Sequence, residues 1–106
     1  MQDGLLDKEG GREMKFNRWS LKRIREGKKT LTSRRNRHET DPVVEGIVGP
    51  LPLWFIKRYL YRAEGAESPD ELQRVINQVS RRKVHDLEDF FVHVINPEKV
   101  LKETEH

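Results

Sequence analysis

Between residues 19 and 34 the chain changes period once, around a single glycine: W-S-L-K-R-I-R-E-G-K-K-T-L-T-S-R. Ahead of Gly27, Leu21 and Ile24 lie three apart on one helical face, and Lys22, Arg23 and Arg25 point away from it. Ser20 is placed to cap this helix by accepting a hydrogen bond from a first-turn amide. Gly27 suits the left-handed turn that ends it. Beyond the glycine, residues 30–33 alternate and are rich in threonine, the pattern of a strand. A helix this short is not stable alone and must be packed against something. The remaining chain therefore has to supply a core that takes a helix and a strand together, which makes the fold class α+β.

Further elements follow from local signals. Residues 14–17, M-K-F-N, read as a first strand with Phe16 inward. Residues 34–42 have no period and read as a loop. Residues 43–48 are a second β-prone run, interrupted by Gly46 and closed by Gly49 and Pro50. Pro52 opens a helix on which Leu53, Ile56 and Leu60 form one stripe, widened by Phe55 and Tyr59, with an end expected near Glu64 and Gly65. Ser68-Pro69-Asp70-Glu71 is the clearest helix start in the chain: a capping serine, a proline at the first position and an acid at the third. Leu72, Val75, Ile76 and Val79 continue it at helical spacing to about Arg81. Residues 89–95, D-F-F-V-H-V-I, are apolar on both faces and read as a central strand. Residues 97–106 are expected to be a frayed turn or loose tail, and residues 1–13 a disordered lead-in.

Composition narrows the function classes. The chain has 106 residues, enough for one domain with one modest core. It contains no cysteine, which excludes disulfides and thiolate metal sites and makes a reducing cytoplasm the default. No apolar run approaches the ~18 residues of a membrane span. Charge is abundant but nearly balanced, with 21 basic and 18 acidic residues. It is not evenly spread: residues 18–37 hold nine Lys or Arg against one acid, Glu26. Such a local positive field recruits phosphates, and it is also what a solvated face of a charge-rich protein looks like. Trp54, Lys57, Arg58 and Tyr61, at helical spacing, are a second aromatic and cationic set. The alternative for that set is a core edge with snorkelling cations. His38, His85, His93 and His106 share no ligand spacing, so no metal site is expected, and His93 reads as a packed strand residue. No phosphate-binding glycine loop is present, and no cofactor is expected.

The run G-K-K-T-L-T-S-R at residues 27–34 resembles the signature of ASCH domains, a branch of the PUA-like fold. Gly27, Lys29, Thr32 and Arg34 fall on the pattern G-x-K-x-x-[E/T]-x-R. Glu64-Gly65, the Ser68 helix and the 89–95 strand then follow in the family's order, so the resemblance covers residues 14–96. It implies a small, partly open PUA-like β-barrel with about three helices and a cleft beside the signature for RNA or a nucleoside. The 35–49 segment is shorter than in family members, which leaves an incomplete barrel or a reshaped cleft as the two expectations.

By that resemblance the chain is an RNA- or nucleotide-binding domain, with Lys28, Lys29, Arg34, Arg35 and Arg37 as the contacting cations. The alternative carried by the same family is an amidohydrolase that removes the acetyl group of N4-acetylcytidine, with Lys29, Thr32 and Glu64 as catalytic residues. The residue types suit the second role. A lysine buried among cations loses proton affinity and, when neutral, can accept a hydroxyl proton as threonine attacks an acyl carbon. Arginine can hold an oxyanion or phosphate, and glutamate can orient the lysine or shuttle a proton. In regular strand geometry Lys29 and Thr32 point to opposite faces. They meet only if the strand starts after Lys29 or bends there.

Overall fold

The computed structural model describes residues 14–104. The expected lead-in at residues 1–13 and the last two residues of the expected tail lie outside them. The described elements are α1 (Arg18–Arg25), β1 (Leu31–Arg34), β2 (Val44–Pro52), α2 (Leu53–Tyr59), α3 (Pro69–Ser80), β3 (Asp89–Ile95) and α4 (Pro97–Thr104). The fold is α+β: four helices and a three-stranded antiparallel sheet in the order β1-β3-β2.

β3 is the central strand, as its two-sided apolar pattern predicts. Phe90 and Val92 face a core with Leu53, Ile56, Ala66, Leu72 and Val84. Ile95 enters a second cluster with Met14, Ile24, Val43 and Val100. Helices α2 and α3 thus pack into the first cluster and α4 into the second, while α1 sends Ile24 into the second and rests Trp19 against the first. β1 pairs with β3 in unbroken register, Leu31 with Val94 through Arg34 with Phe91. β2 pairs along the opposite edge with two irregularities. The second of these contains the cis Gly49–Pro50 bond. Rather than closing the strand, this pair is absorbed by it, and pairing resumes at Leu51 with Phe90.

The sheet is open, and the described residues form no barrel. The partly open barrel with about three helices is therefore corrected to an open sheet with four. Three strands of four, nine and seven residues are too few to curve round and close. The expected first strand at residues 14–17 does not form. Side chains take its backbone groups instead: the Met14 amide donates to Asp41 Oδ2 at 2.6 Å, and the Lys15 carbonyl accepts from Arg34 Nη2 at 2.6 Å. Asn17, not Ser20, caps α1, accepting from the Ser20 amide at 2.7 Å, so Ser20 lies inside the helix. Residues 97–104 form a helix that seats Val100 in the second core.

Candidate functional site

The glycine stop places the first functional side chain. Gly27 adopts φ +76°, its amide donates to the Ile24 carbonyl, and the Lys28 amide donates to the Arg23 carbonyl. This pair of bonds is the Schellman closure of a helix. It turns Lys29 inward, where it forms an isolated antiparallel bridge with Glu64. The Ala63 carbonyl accepts from both the Thr30 and the Leu31 amides, which fastens the bridge. The strand proper starts only at Leu31. Strand alternation therefore does not govern Lys29, and it reaches the same cleft as Thr32.

That cleft has a volume of about 550 Å³ and is lined by Lys29, Thr32 and Glu64 together with Ser33, Arg34, Arg35 and His38. All three residues expected to be catalytic are buried, with relative exposures of 3%, 5% and 2%. Lys29 Nζ donates to the Leu31 carbonyl at 2.8 Å and the Glu64 carbonyl at 2.9 Å, and lies 3.6 Å from Glu64 Oε1. The Trp19 ring lies 5.7 Å from the same amine. Burial lowers the proton affinity of Lys29 below that of an ordinary lysine. Attraction to Glu64 opposes this in part, and repulsion from Arg34 adds to it. Ser33 donates to the other Glu64 oxygen, Oε2, at 2.5 Å. Arg34 Nε lies 3.4 Å from Thr32 Oγ1, and its guanidinium lies 5.2 Å from the Phe16 ring centroid. The arrangement offers a hydroxyl, an amine of reduced basicity and a carboxylate around one concavity.

The five expected nucleic-acid contacts divide. Lys29, Arg34 and Arg35 line the cleft, whereas Lys28 and Arg37 do not. Lys28 lies within 3.7 Å of Glu26 and Glu67. Arg37 pairs with Glu39 at 2.6 Å and lies over Phe91. Arg35 also pairs with Glu88 and lies over Phe90. Trp54 of the second aromatic set is exposed, but Lys57 is engaged by Gln73 at 2.6 Å and Asp86 at 2.7 Å.

Three contributors escaped the sequence. Trp19 walls the cleft, and its indole nitrogen donates to Glu71 Oε2 at 3.1 Å. Ser33 holds Glu64. His38 lines the cleft from a loop without periodicity, and its backbone amide donates to His93 Nε2 at 3.0 Å. His93 is fully buried and pushed down to about 4, chiefly by burial, so its imidazole is neutral near pH 7. Its Nε2 accepts from His38, so its Nδ1 carries the proton and donates to the Phe91 carbonyl at 3.0 Å. No sequence signal links residues so far apart in the chain.

Among the described residues, no three His, Asp or Glu side chains are grouped to hold a metal ion, and no helix is long and apolar enough to cross a membrane. Comparison with protein-family models, with curated proteins and with solved structures finds no match to this chain.

Proposed function

We propose that the cleft binds a modified nucleoside and hydrolyses an acyl amide on its base, with N4-acetylcytidine as the type of substrate. The observation that carries this reading is the convergence of Lys29, Thr32 and Glu64 on one cleft, with the lysine buried and weakened as an acid–base partner needs to be. Its volume lies within the roughly 300–1,000 Å³ of small-molecule sites. That favours a nucleoside over a long run of RNA, as does the absence of Lys28 and Arg37 from its lining. The same reading takes the fold as a reduced PUA-like domain of ASCH type, in which the short 35–49 segment replaces the missing strands. It also places the cysteine-free chain in a reducing cytoplasm.

The chemistry balances with these residues alone. The Thr32 hydroxyl adds to the amide carbonyl carbon and passes its proton to neutral Lys29. The carbon–nitrogen bond then breaks, and Lys29 returns that proton to the departing N4 nitrogen, giving cytidine and an acyl ester on Thr32. Water, deprotonated by the same lysine, adds to the ester carbon, and as the carbon–Oγ bond breaks the lysine returns that proton to Thr32 Oγ, which frees the carboxylic acid and restores the neutral amine. Glu64 holds the lysine in place and offsets its charge between the steps. Arg34, beside Thr32, supports the negative charge that develops on the carbonyl oxygen.

Chromatography of a reaction with N4-acetylcytidine tests this. The expected result is cytidine and acetate in equal amounts, with Lys29→Met reducing kcat by at least about a hundredfold. Failure to form cytidine sinks the proposal.

Binding without chemistry is the second reading. It is favoured by Lys15, Arg34 and Arg35 all lining the cleft. It predicts salt-dependent RNA affinity that falls in the Lys29→Ala, Arg34→Ala double variant. An affinity indifferent to both would remove it.

A further inference from the structure

One wall of the cleft is aliphatic and only half used by the core. On α3, Leu72, Val75, Ile76 and Val79 fall at i, i+3, i+4 and i+7, the spacing that docks a helix along its whole length. Leu72 is buried and Ile76 packs against the first core. Val75 belongs to neither core cluster, and Val79 is 64% exposed. All four nonetheless line the same cleft as Lys29, Thr32 and Glu64. Among the described residues, the helix therefore presents a partly uncovered apolar strip to the concavity that holds the reactive groups.

We propose that this strip is an acyl-chain subsite, and that the favoured substrate is a nucleoside whose base nitrogen carries an aliphatic acyl group longer than acetyl, such as butyryl or hexanoyl. The inference rests on the deacylase reading of the cleft. A chain bound at Thr32 by its carbonyl continues into whatever surrounds that carbonyl. Here the surroundings include branched aliphatic side chains rather than flat aromatic ones, so they suit a flexible alkyl chain better than a stacked base. Trp19, on α1, supplies the flat surface that a base requires. The strip is four side chains on one helical face inside a cleft, far fewer than the roughly 20–30 residues a side that a stable second copy would need to cover.

The test measures binding and turnover separately across N4-acetyl-, N4-butyryl- and N4-hexanoylcytidine. Dissociation constants come from methyl NMR titration of the Thr32→Val chain, and kcat/KM from the wild type. Affinity should rise by about fourfold for each methylene that the wall buries, with shifts at the Val75 and Val79 methyls. Val79→Asp, at an exposed position that does not threaten folding, should abolish the dependence on chain length, and Val79→Ser should weaken it. Affinity that is flat or falls with chain length overturns the subsite. So do methyl shifts that follow protein concentration alone, which would assign the strip to a second copy of the chain. Chain-dependent binding without cytidine release supports the subsite and removes the deacylase reading. Cytidine release at equal efficiency for all three keeps the deacylase and removes the subsite.

Discussion

Gly65 is where a single atom would disturb the site most. Its φ of +99° is one that side chains rarely adopt, and an added Cβ would stand 3.0 Å from Lys29 Cβ and 3.1 Å from Arg23 Cβ. Neither neighbour is a flexible chain end, so the strand-like bridge that carries Lys29 would have to shift. Gly65→Ala should cost about 1–3 kcal/mol, read by urea denaturation, and should reduce deacylation beyond that loss of folded protein. A variant of unchanged stability and rate would show that Lys29 does not depend on this close approach. His93 sets a second expectation. Its pKa falls from 6.5 to about 4 on folding, so the folded state binds fewer protons than the unfolded chain between these values. The neutral ring contributes its full stability above pH 6.5 and loses it as the pH falls through about 4. The contribution is on the order of 3 kcal/mol. His93→Gln keeps an acceptor for the His38 amide but has no proton to gain, so its stability should fall less steeply over that window. Equal slopes in denaturation curves for the two proteins would contradict the assignment.

Elements were readable in the sequence to the extent that their ends carry local chemistry. The α3 start is an example: Ser68 Oγ accepts from the Glu71 amide at 3.0 Å, as its position before Pro69 predicts. β3 was legible from Asp89 to Ile95 because Asn96-Pro97 ends it and both of its faces are apolar. The start of α1 was not, since Asn17 and Ser20 are both good caps and sequence alone does not choose between them. The early end of α2 was hidden too. The apolar stripe runs on to Leu60, but the chain leaves the helix at Tyr59 so that Ala63 and Glu64 can pair with the Lys29 segment. Docking of α1 onto α3 depends on Glu71. Its carboxylate accepts from the Trp19 indole at 3.1 Å, from Arg23 at 3.0 Å and from the Glu67 amide at 2.7 Å, and the last of these does most to hold its pKa below the usual carboxylate value. Glu71→Ala should cost about 1–3 kcal/mol and increase Trp19 solvent exposure in fluorescence quenching. Unaltered stability with unaltered quenching would mean that apolar packing alone fixes α1.

At the scale of the whole molecule, a sheet of three strands packs into two apolar clusters and leaves its β1 edge beside a concavity. The α+β class and the central position of β3 follow from periodicity. The absence of a barrel follows from missing partners, which periodicity does not report: residues 14–17 are extended in composition yet find side chains rather than a strand. The site was legible only in part for the same reason. Lys29, Thr32 and Glu64 were grouped through a resemblance, because their convergence depends on a bridge across 35 positions of chain. Ser33, Trp19 and His38 had no signal, since their roles arise from contacts made only after the helices close over the sheet. The proposed function stands on one claim, that this concavity performs acyl transfer from a base nitrogen through Thr32. Its most direct test is the rate at which cytidine is released from N4-acetylcytidine by the wild-type chain and by Thr32→Val, measured side by side at equal folded concentration. The account predicts release by the wild type and a loss of at least about a hundredfold in the variant. Equal rates in the two proteins, or no cytidine from either, would contradict it.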